Sequence, residues 1–197
     1  SIFDNHVYCI ASDGDVQEGV SAEASSIAGH QQLGNLTVIY DDNQISIEED
    51  TDVAFTENVA QRYEAYGWHV QTVDWAGDRT GGTEYTEDVD ALWAAIQAAK
   101  AVTDKPSMIV LRTIIAWPAP SAQGTGASHG SALGDAEIRA TKELLGFDPE
   151  QSFEVSDEVL AHTRGARTRG EALQARWNEQ FSVWASANPE RAALLER

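Results

Sequence analysis

Lysine is nearly missing from this 197-residue chain, which carries only Lys100, Lys105 and Lys142. All basic residues together number 13 against 32 acidic ones, a formal charge of −19. That balance argues against a nucleic-acid-binding role, because neutralising phosphates needs a basic face. It also argues against long-range steering of anionic ligands, so a bound phosphate would need a local device such as a helix N-terminus or a metal ion. Most of the acidic surplus reads as solubility. Cysteine is represented by Cys9 alone, so no internal disulfide can form and a cytoplasmic location is the default. No signal peptide is visible, and no apolar run approaches the roughly 20 residues of a membrane span. The only methionine is internal, and the opening "SIFDNHVYC" enters a strand almost at once. The chain therefore reads as a piece of a longer protein.

What is present is ordinary in amount: 42% hydrophobic and 23% charged residues, enough to bury a core in one or two domains. Four β-rich segments are expected at His6–Ala11, Leu36–Tyr40, His69–Val73 and Ser107–Ile115. Helical patterns fall between them. A small-residue helix spans roughly Val16–Leu33 and stops at Gly34-Asn35. A second lies near Thr56–Tyr66, and a third near Glu87–Val102 carries the stripe Val89, Leu92, Ile96, Ala99 and Val102. This alternation predicts a three-layer α/β/α domain with a mostly parallel sheet over residues 1–150. Residues 151–197 form a helical extension, with Gly165 and Gly170 interrupting the helix and a short restart at Pro189. Trp117–Gly134 is a long loop without obvious structure, a length that points to disorder or function.

Chemistry concentrates at two strand tips. "CIASDGDVQEGVSAEA" ends its strand on Asp13 and Gly14, and "LTVIYDDNQIS" ends on Asn43. If the two strands are parallel neighbours, Asp13 and Asn43 lie side by side at the strand C-terminal edge, where open α/β sheets bind ligands. A carboxylate, an amide oxygen and a nearby backbone carbonyl make a hard oxygen set suited to Mg²⁺ or Ca²⁺. The helix after Gly14 would present its positive end to a phosphate there. Taken alone, Asp13 and Gly14 more often mark a solvated strand-to-helix turn. His129 would ordinarily be a surface histidine, as His6, His30, His69 and His162 are read to be.

The wider context favours the metal site. "SDGDVQEG" followed by "DDNQISI" resembles the signature of thiamine-diphosphate enzymes. With "EGVSAEASSIAG", "LGNLTVIYDDNQISI", "RYEAYGWHV", "AVTDKPS", "RTII" and "SHGSALGDAEI", the chain resembles the transketolase family over nearly its whole length and in the family's order. The resemblance implies thiamine diphosphate as cofactor and Mg²⁺ (or Ca²⁺) held by Asp13, Asn43 and the carbonyl of Ile45. It implies that Gly14 lets the cofactor approach the backbone and that Ile47 and Ile115 pack against its thiazolium region. His129 matches a histidine that reaches the diphosphate and the sugar substrate. Glu18 and Glu23 match carboxylates at a dimer interface, which places Glu18 beside His129 among the catalytic candidates.

The activity implied is transfer of a two-carbon ketol unit between sugar phosphates by a homodimer. The pyrimidine-binding domain of a partner subunit completes the site, so this chain alone is expected not to turn over. A dihydroxyacetone synthase, a pyruvate dehydrogenase component and a non-catalytic cofactor-binding fragment remain open alternatives. Two departures stand out. Ser12 replaces the first glycine of the family's Gly-Asp-Gly turn, and "IIAWPAP" carries more prolines than the family's usual segment.

Overall fold

The computed structural model of the chain describes residues 2–79 and 85–195. The first compact unit covers Asn5–Glu150. In chain order it holds β1 (Val7–Ser12), α1 (Asp13–Gln17), α2 (Gly19–His30), β2 (Leu36–Asp42), β3 (Ile45–Ser46) and β4 (Glu49–Asp50). It continues through α3 (Val59–Ala65), β5 (His69–Asp74), α4 (Val89–Ala101), β6 (Ser107–Arg112) and α5 (Asp135–Leu145). Part of the Gly/Thr/Asp-rich loop expected after β5, residues 80–84, lies outside the described residues.

Four strands form one parallel sheet in the order β1-β2-β6-β5. The chain moves outward from β1 through β2 to β5, then steps back to place β6 in the middle. With right-handed crossovers, outward steps put their helices on one face and the backward step puts its helix on the other. The packing follows this rule. Val16, Ala28, Val59 and Tyr63 from the α1–α3 side meet Tyr40, Met108 and Val110 of the sheet. On the opposite face Ala95 of α4 packs with Val73, Ile109 and Leu111. Alternate residues of β6 thus serve the two cores, and covering on both faces explains its unbroken apolar sequence. The three-layer α/β/α architecture expected from the alternation is the one observed.

β1 is largely exposed although its sequence is apolar. It lies at the sheet edge and α4 packs over the other strands, so Ile10 is 78% exposed. The helix after β1 also differs. It begins at Asp13, breaks at Glu18 (φ −67°, ψ 135°) and ends at His30. Side chains stabilise the break by taking up the freed carbonyls: Ser21 Oγ donates to Asp15 O at 2.6 Å and Arg62 Nη2 donates to Val16 O at 2.8 Å. The left-handed residue beyond α2 is Gln32 (φ 54°). Gly34 serves a different purpose, since a Cβ there would stand 2.2 Å from Thr103 O. Its lack of a side chain lets two backbones touch.

The second unit holds residues 151–195 together with residues 2–4. Its main element is α6 (Asp157–Ala187, 31 residues), capped by Ser156 Oγ, which accepts from Val159 N–H at 3.3 Å. α6 runs through Gly165 and Gly170 without interruption. Each glycine costs about 1 kcal/mol relative to alanine in a helix interior, too little to break a helix this long. Trp177, Phe181 and Trp184 follow one another along one face with ring centroids 4.9 and 5.8 Å apart. α7 (Pro189–Leu195) starts on proline, whose missing N–H is harmless in a first turn.

Candidate cofactor and metal site

Parallel pairing brings the strand C-terminal ends to one edge, and the register sets Ser12 of β1 beside Asp41 of β2. Ser12 is extended (φ −107°), so serine meets no strain where the family carries glycine. Its N–H and Oγ both donate to the Asp15 carboxylate, at 2.8 and 2.9 Å. Those two bonds hold Asp15 below the usual carboxylate range.

Asp13 is 1% exposed. Its Oδ1 accepts from Tyr40 O–H at 2.5 Å and its Oδ2 from Gln44 N–H at 3.0 Å. Among the described residues no Arg, Lys or His forms an ion pair with it. Burial raises its pKa, Asp42 adds to the rise, and the hydrogen bonds only partly oppose it. Burial and Asp13 likewise push the Tyr40 hydroxyl far above the ordinary phenol range, which keeps it a donor. A buried carboxylate without a counterion is costly, and a cation beside it would remove that cost. Asn43 and the Ile45 carbonyl add only oxygen, so the donor chemistry fits Mg²⁺ or Ca²⁺. No cluster of three His, Cys, Asp or Glu residues able to hold a metal exists among the described residues; the expected set needs only one carboxylate.

Asn43 begins a short antiparallel hairpin, β3 with β4, that sequence periodicity did not reveal. Its Oδ1 accepts from Ile45 N–H at 2.9 Å. Ile47, between the two strands, is 69% exposed and has φ +63°. A β-branched residue in the left-handed region is an outlier, and such strain concentrates at ligand-binding positions.

His129 hangs from a loop that is well tied despite its length. A 3₁₀ turn spans Gly126–Ser128, and His129 N–H donates to Gly126 O at 2.9 Å. A Cβ on Gly126 would stand 2.0 Å from Glu48 O, so this turn presses directly on the hairpin backbone. Glu137 in the first turn of α5 accepts from Ser121 N–H (2.6 Å), Ser121 Oγ (2.7 Å) and Ala122 N–H (3.0 Å). These bonds hold its carboxylate below the usual range and close the loop that carries His129. Glu137→Gln should speed amide hydrogen exchange at Ser121 and Ala122 by about tenfold, since charge-assisted bonds are replaced by weaker ones. Unchanged exchange there would show that the loop is held by other contacts.

A cavity of about 520 Å³ gathers Gly14, Glu18, Asn43, Ile45, Ile47 and His129. Asp13 lines a second one of about 360 Å³ with Tyr40, Asp42 and Gln44. Consecutive residues, Asp13 and Gly14 and then Asn43 and Gln44, thus serve different cavities. Ile115 lines neither. β6 ends at Arg112, short of the expected Ile115, because β2 offers its last ladder bond to Thr113 N–H through Asp42 O. Ile115 is half-buried in the following loop, where its carbonyl accepts from Gly124 N–H at 2.9 Å. Glu23 is exposed on α2, outside both cavities. Sequence reasoning missed Tyr40, Asp41, Gln44 and Glu137. The paired aspartates of "YDDN" were the available signal for Asp41.

A parallel sheet covered by helices on both faces, with cavities at the strand C-terminal edge, defines the class as an open α/β domain. The comparisons make this specific: the family model described as transketolase, thiamine diphosphate binding domain, matches residues 1–197, and the chain belongs to that family. It is 54% identical to a transketolase of Mycobacterium tuberculosis (strain ATCC 25618 / H37Rv) over 197 residues, 100% of this chain and 27% of the relative. A transketolase of Nostoc sp. is 45% identical over 100% of this chain and 28% of its own length. Among solved structures, a Pichia stipitis transketolase in complex with sedoheptulose 7-phosphate superposes with a TM-score of 0.88 at 43% identity, covering 100% of this chain and 28% of that one. The chain thus spans little more than a quarter of these relatives.

Proposed function

We propose that this chain is the diphosphate-binding part of a transketolase, which moves a two-carbon ketol unit from a ketose phosphate to an aldose phosphate. One observation carries the reading: a buried Asp13 with no ion-pair partner among the described residues, followed directly by Gly14, which lines a cavity with Asn43, Ile45, Ile47 and His129, in a chain that matches the family throughout. Asp13, Asn43 Oδ1 and the Ile45 carbonyl would hold Mg²⁺ (or Ca²⁺) against the cofactor diphosphate. Thiamine diphosphate, when bound, supplies the carbanion chemistry that breaks and makes the carbon–carbon bond. Gly14 leaves room for the diphosphate, and Ile47, with Ile115 from the loop after β6, offers apolar contact to the ring. His129 hydrogen-bonds the diphosphate or sugar and moves a proton at its imidazole.

Glu18 and Glu23 face a partner subunit in this reading, and the whole enzyme is a homodimer whose pyrimidine-binding domain completes the site. Exposed Val20 and Ile27 on α2 and Ile10 on β1 support a covered face there. The cytoplasm is the compartment proposed, on the strength of the single cysteine. Among the described residues no helix is long and apolar enough to cross a membrane.

The test is a steady-state assay with Mg²⁺ and thiamine diphosphate, using a pentulose phosphate donor and an aldopentose phosphate acceptor. It is run on this chain and on the longest polypeptide that contains it. Turnover by the longer polypeptide and none by this chain is the expected result. Turnover on pyruvate or formaldehyde instead would overturn the substrate assignment, and ketol transfer by this chain alone would overturn the need for a second domain.

A further inference from the structure

The amide of Asn43 is useful to a cation only if its oxygen, and not its nitrogen, is presented. The two orientations are nearly equal in shape, so surrounding hydrogen bonds must choose between them. Two groups do so here. Ile45 N–H donates to Oδ1 at 2.9 Å, and Nδ2 donates to Asp41 Oδ2 at 3.0 Å. A carboxylate is an acceptor only, so it admits the NH₂ side and repels the oxygen. Asp41 is itself held, since its Oδ1 accepts from Thr113 Oγ1. The register makes this possible. β2 and β6 run in parallel with Asp41 paired to Leu111, and Thr113 N–H bonds Asp42 O at 3.0 Å, which carries the Thr113 side chain to Asp41 just past the last strand residue.

From this we infer that Asp41, held by Thr113, is a positioning residue that fixes the Asn43 amide with its oxygen free for the metal. The inference rests on the metal-holding role proposed above for Asn43. Asp41 lines neither cavity; its effect passes through one side-chain amide, that of Asn43. Outer partners of metal ligands typically alter affinity by about 10–100-fold, and the same range is expected here.

Mn²⁺ binding in the presence of thiamine diphosphate, followed by the loss of the free-ion electron paramagnetic resonance signal, tests this on the longest polypeptide that contains the chain, without reference to activity. Asp41→Ala should weaken binding about 10–100-fold. Asp41→Asn should restore most of it, because its carbonyl still accepts from Asn43 and the Thr113 hydroxyl can turn to accept from its NH₂. In an Asn43→Ala background, Asp41→Ala should add nothing further, the mark of an effect carried by Asn43. Thr113→Val, which removes only the outer hydroxyl, should cost several-fold and serves as the second variant should Asp41→Ala not fold. Equal losses for Asp41→Ala and Asp41→Asn, or additive losses with Asn43→Ala, would overturn positioning in favour of a bare charge effect. Tight binding unchanged by Asp41→Ala would also overturn it, leaving the metal site standing. No Mn²⁺ binding by the unaltered longest polypeptide would sink the metal reading itself, and this inference with it.

Discussion

Alanine at position 29 is expected to destabilise the α/β unit by about 3 kcal/mol, although the same change in an open helix interior adds stability. Gly29 lies in α2, and propensity alone favours alanine over glycine there by about 1 kcal/mol. The packing reverses the sign. A Cβ at Gly29 would stand 2.0 Å from Tyr66 O and 3.4 Å from a Trp68 ring carbon. The nearer atom is backbone, so it cannot swing aside, and α2 would have to move off the α3–β5 corner. That corner is closed by two buried hydrogen bonds, Trp68 Nε1 to Ser25 O at 2.8 Å and Ser25 Oγ to Tyr63 O–H at 3.0 Å. It is also closed by the edge-on contact of Tyr63 with Trp68, centroids 5.1 Å apart. Displacing the helix strains all three. Gly170→Ala supplies the opposite case, since no atom lies within 4 Å of its added methyl. That variant should gain close to the propensity difference of about 1 kcal/mol. Urea unfolding followed by circular dichroism measures both. A neutral or stabilising Gly29→Ala would show that the α2–Tyr66 approach is looser than the structure describes.

The elements that were legible in the sequence are those whose burial is two-sided or whose ends are capped by local chemistry. β6 announced itself because both faces of a central parallel strand are apolar, and α4 by its apolar stripe, with Asp88 capping its start by accepting from Ala91 N–H. The break at Glu18 was not legible. It depends on Ser21 and on Arg62, the latter brought from α3 by the fold, and no local pattern encodes a carbonyl satisfied from so far away. Gly34 misled for a related reason, since a glycine required by the touching Thr103 backbone looks in sequence like a helix cap. Strand exposure was also hidden. "HVYCIA" is apolar enough to be central, and only the sheet order shows that it is an edge.

The candidate site divides along the same line. Asp13 and Asn43 were legible as residue types at strand tips, and His129 only through the family resemblance; the structure places each beside a cavity. Their supports were not legible, because each acts across the fold. Tyr40 reaches back to Asp13, Gln44 supplies only its backbone N–H, Thr113 holds Asp41 from another strand, and Glu137 closes the His129 loop from the helix beyond. What a sequence pattern displays is the group that meets a ligand. What it conceals is the group that meets the group.

Asp13→Asn should separate stability from binding, raising the first while removing the second. The carboxylate is buried with no ion-pair partner among the described residues, and its pKa is raised chiefly by that burial. The sign follows from linkage. An acid whose folded pKa lies above its unfolded value is favourable to folding when protonated, at pH below the unfolded pKa. That favour is lost as pH rises through the folded pKa, so at neutral pH the ionised Asp13 opposes folding of the metal-free chain. Asparagine removes the charge and preserves the contacts: its carbonyl can accept from Gln44 N–H, and the Tyr40 hydroxyl can turn to accept from its NH₂. The metal-free variant should therefore unfold at higher urea concentration than the parent at pH 7, with the gap shrinking as pH falls toward the carboxylate range. Metal binding responds in the opposite sense. The ligand set proposed above would offer one formal negative charge and two neutral oxygens, and without that charge Mn²⁺ affinity in the presence of thiamine diphosphate should fall more than about 100-fold. A variant less stable than the parent at neutral pH would mean that Asp13 gains more from Tyr40 and Gln44 than burial costs it. Undiminished Mn²⁺ binding would remove Asp13 from the metal site. Both outcomes expected together would mark Asp13 as a residue kept at the expense of stability for the cation it awaits.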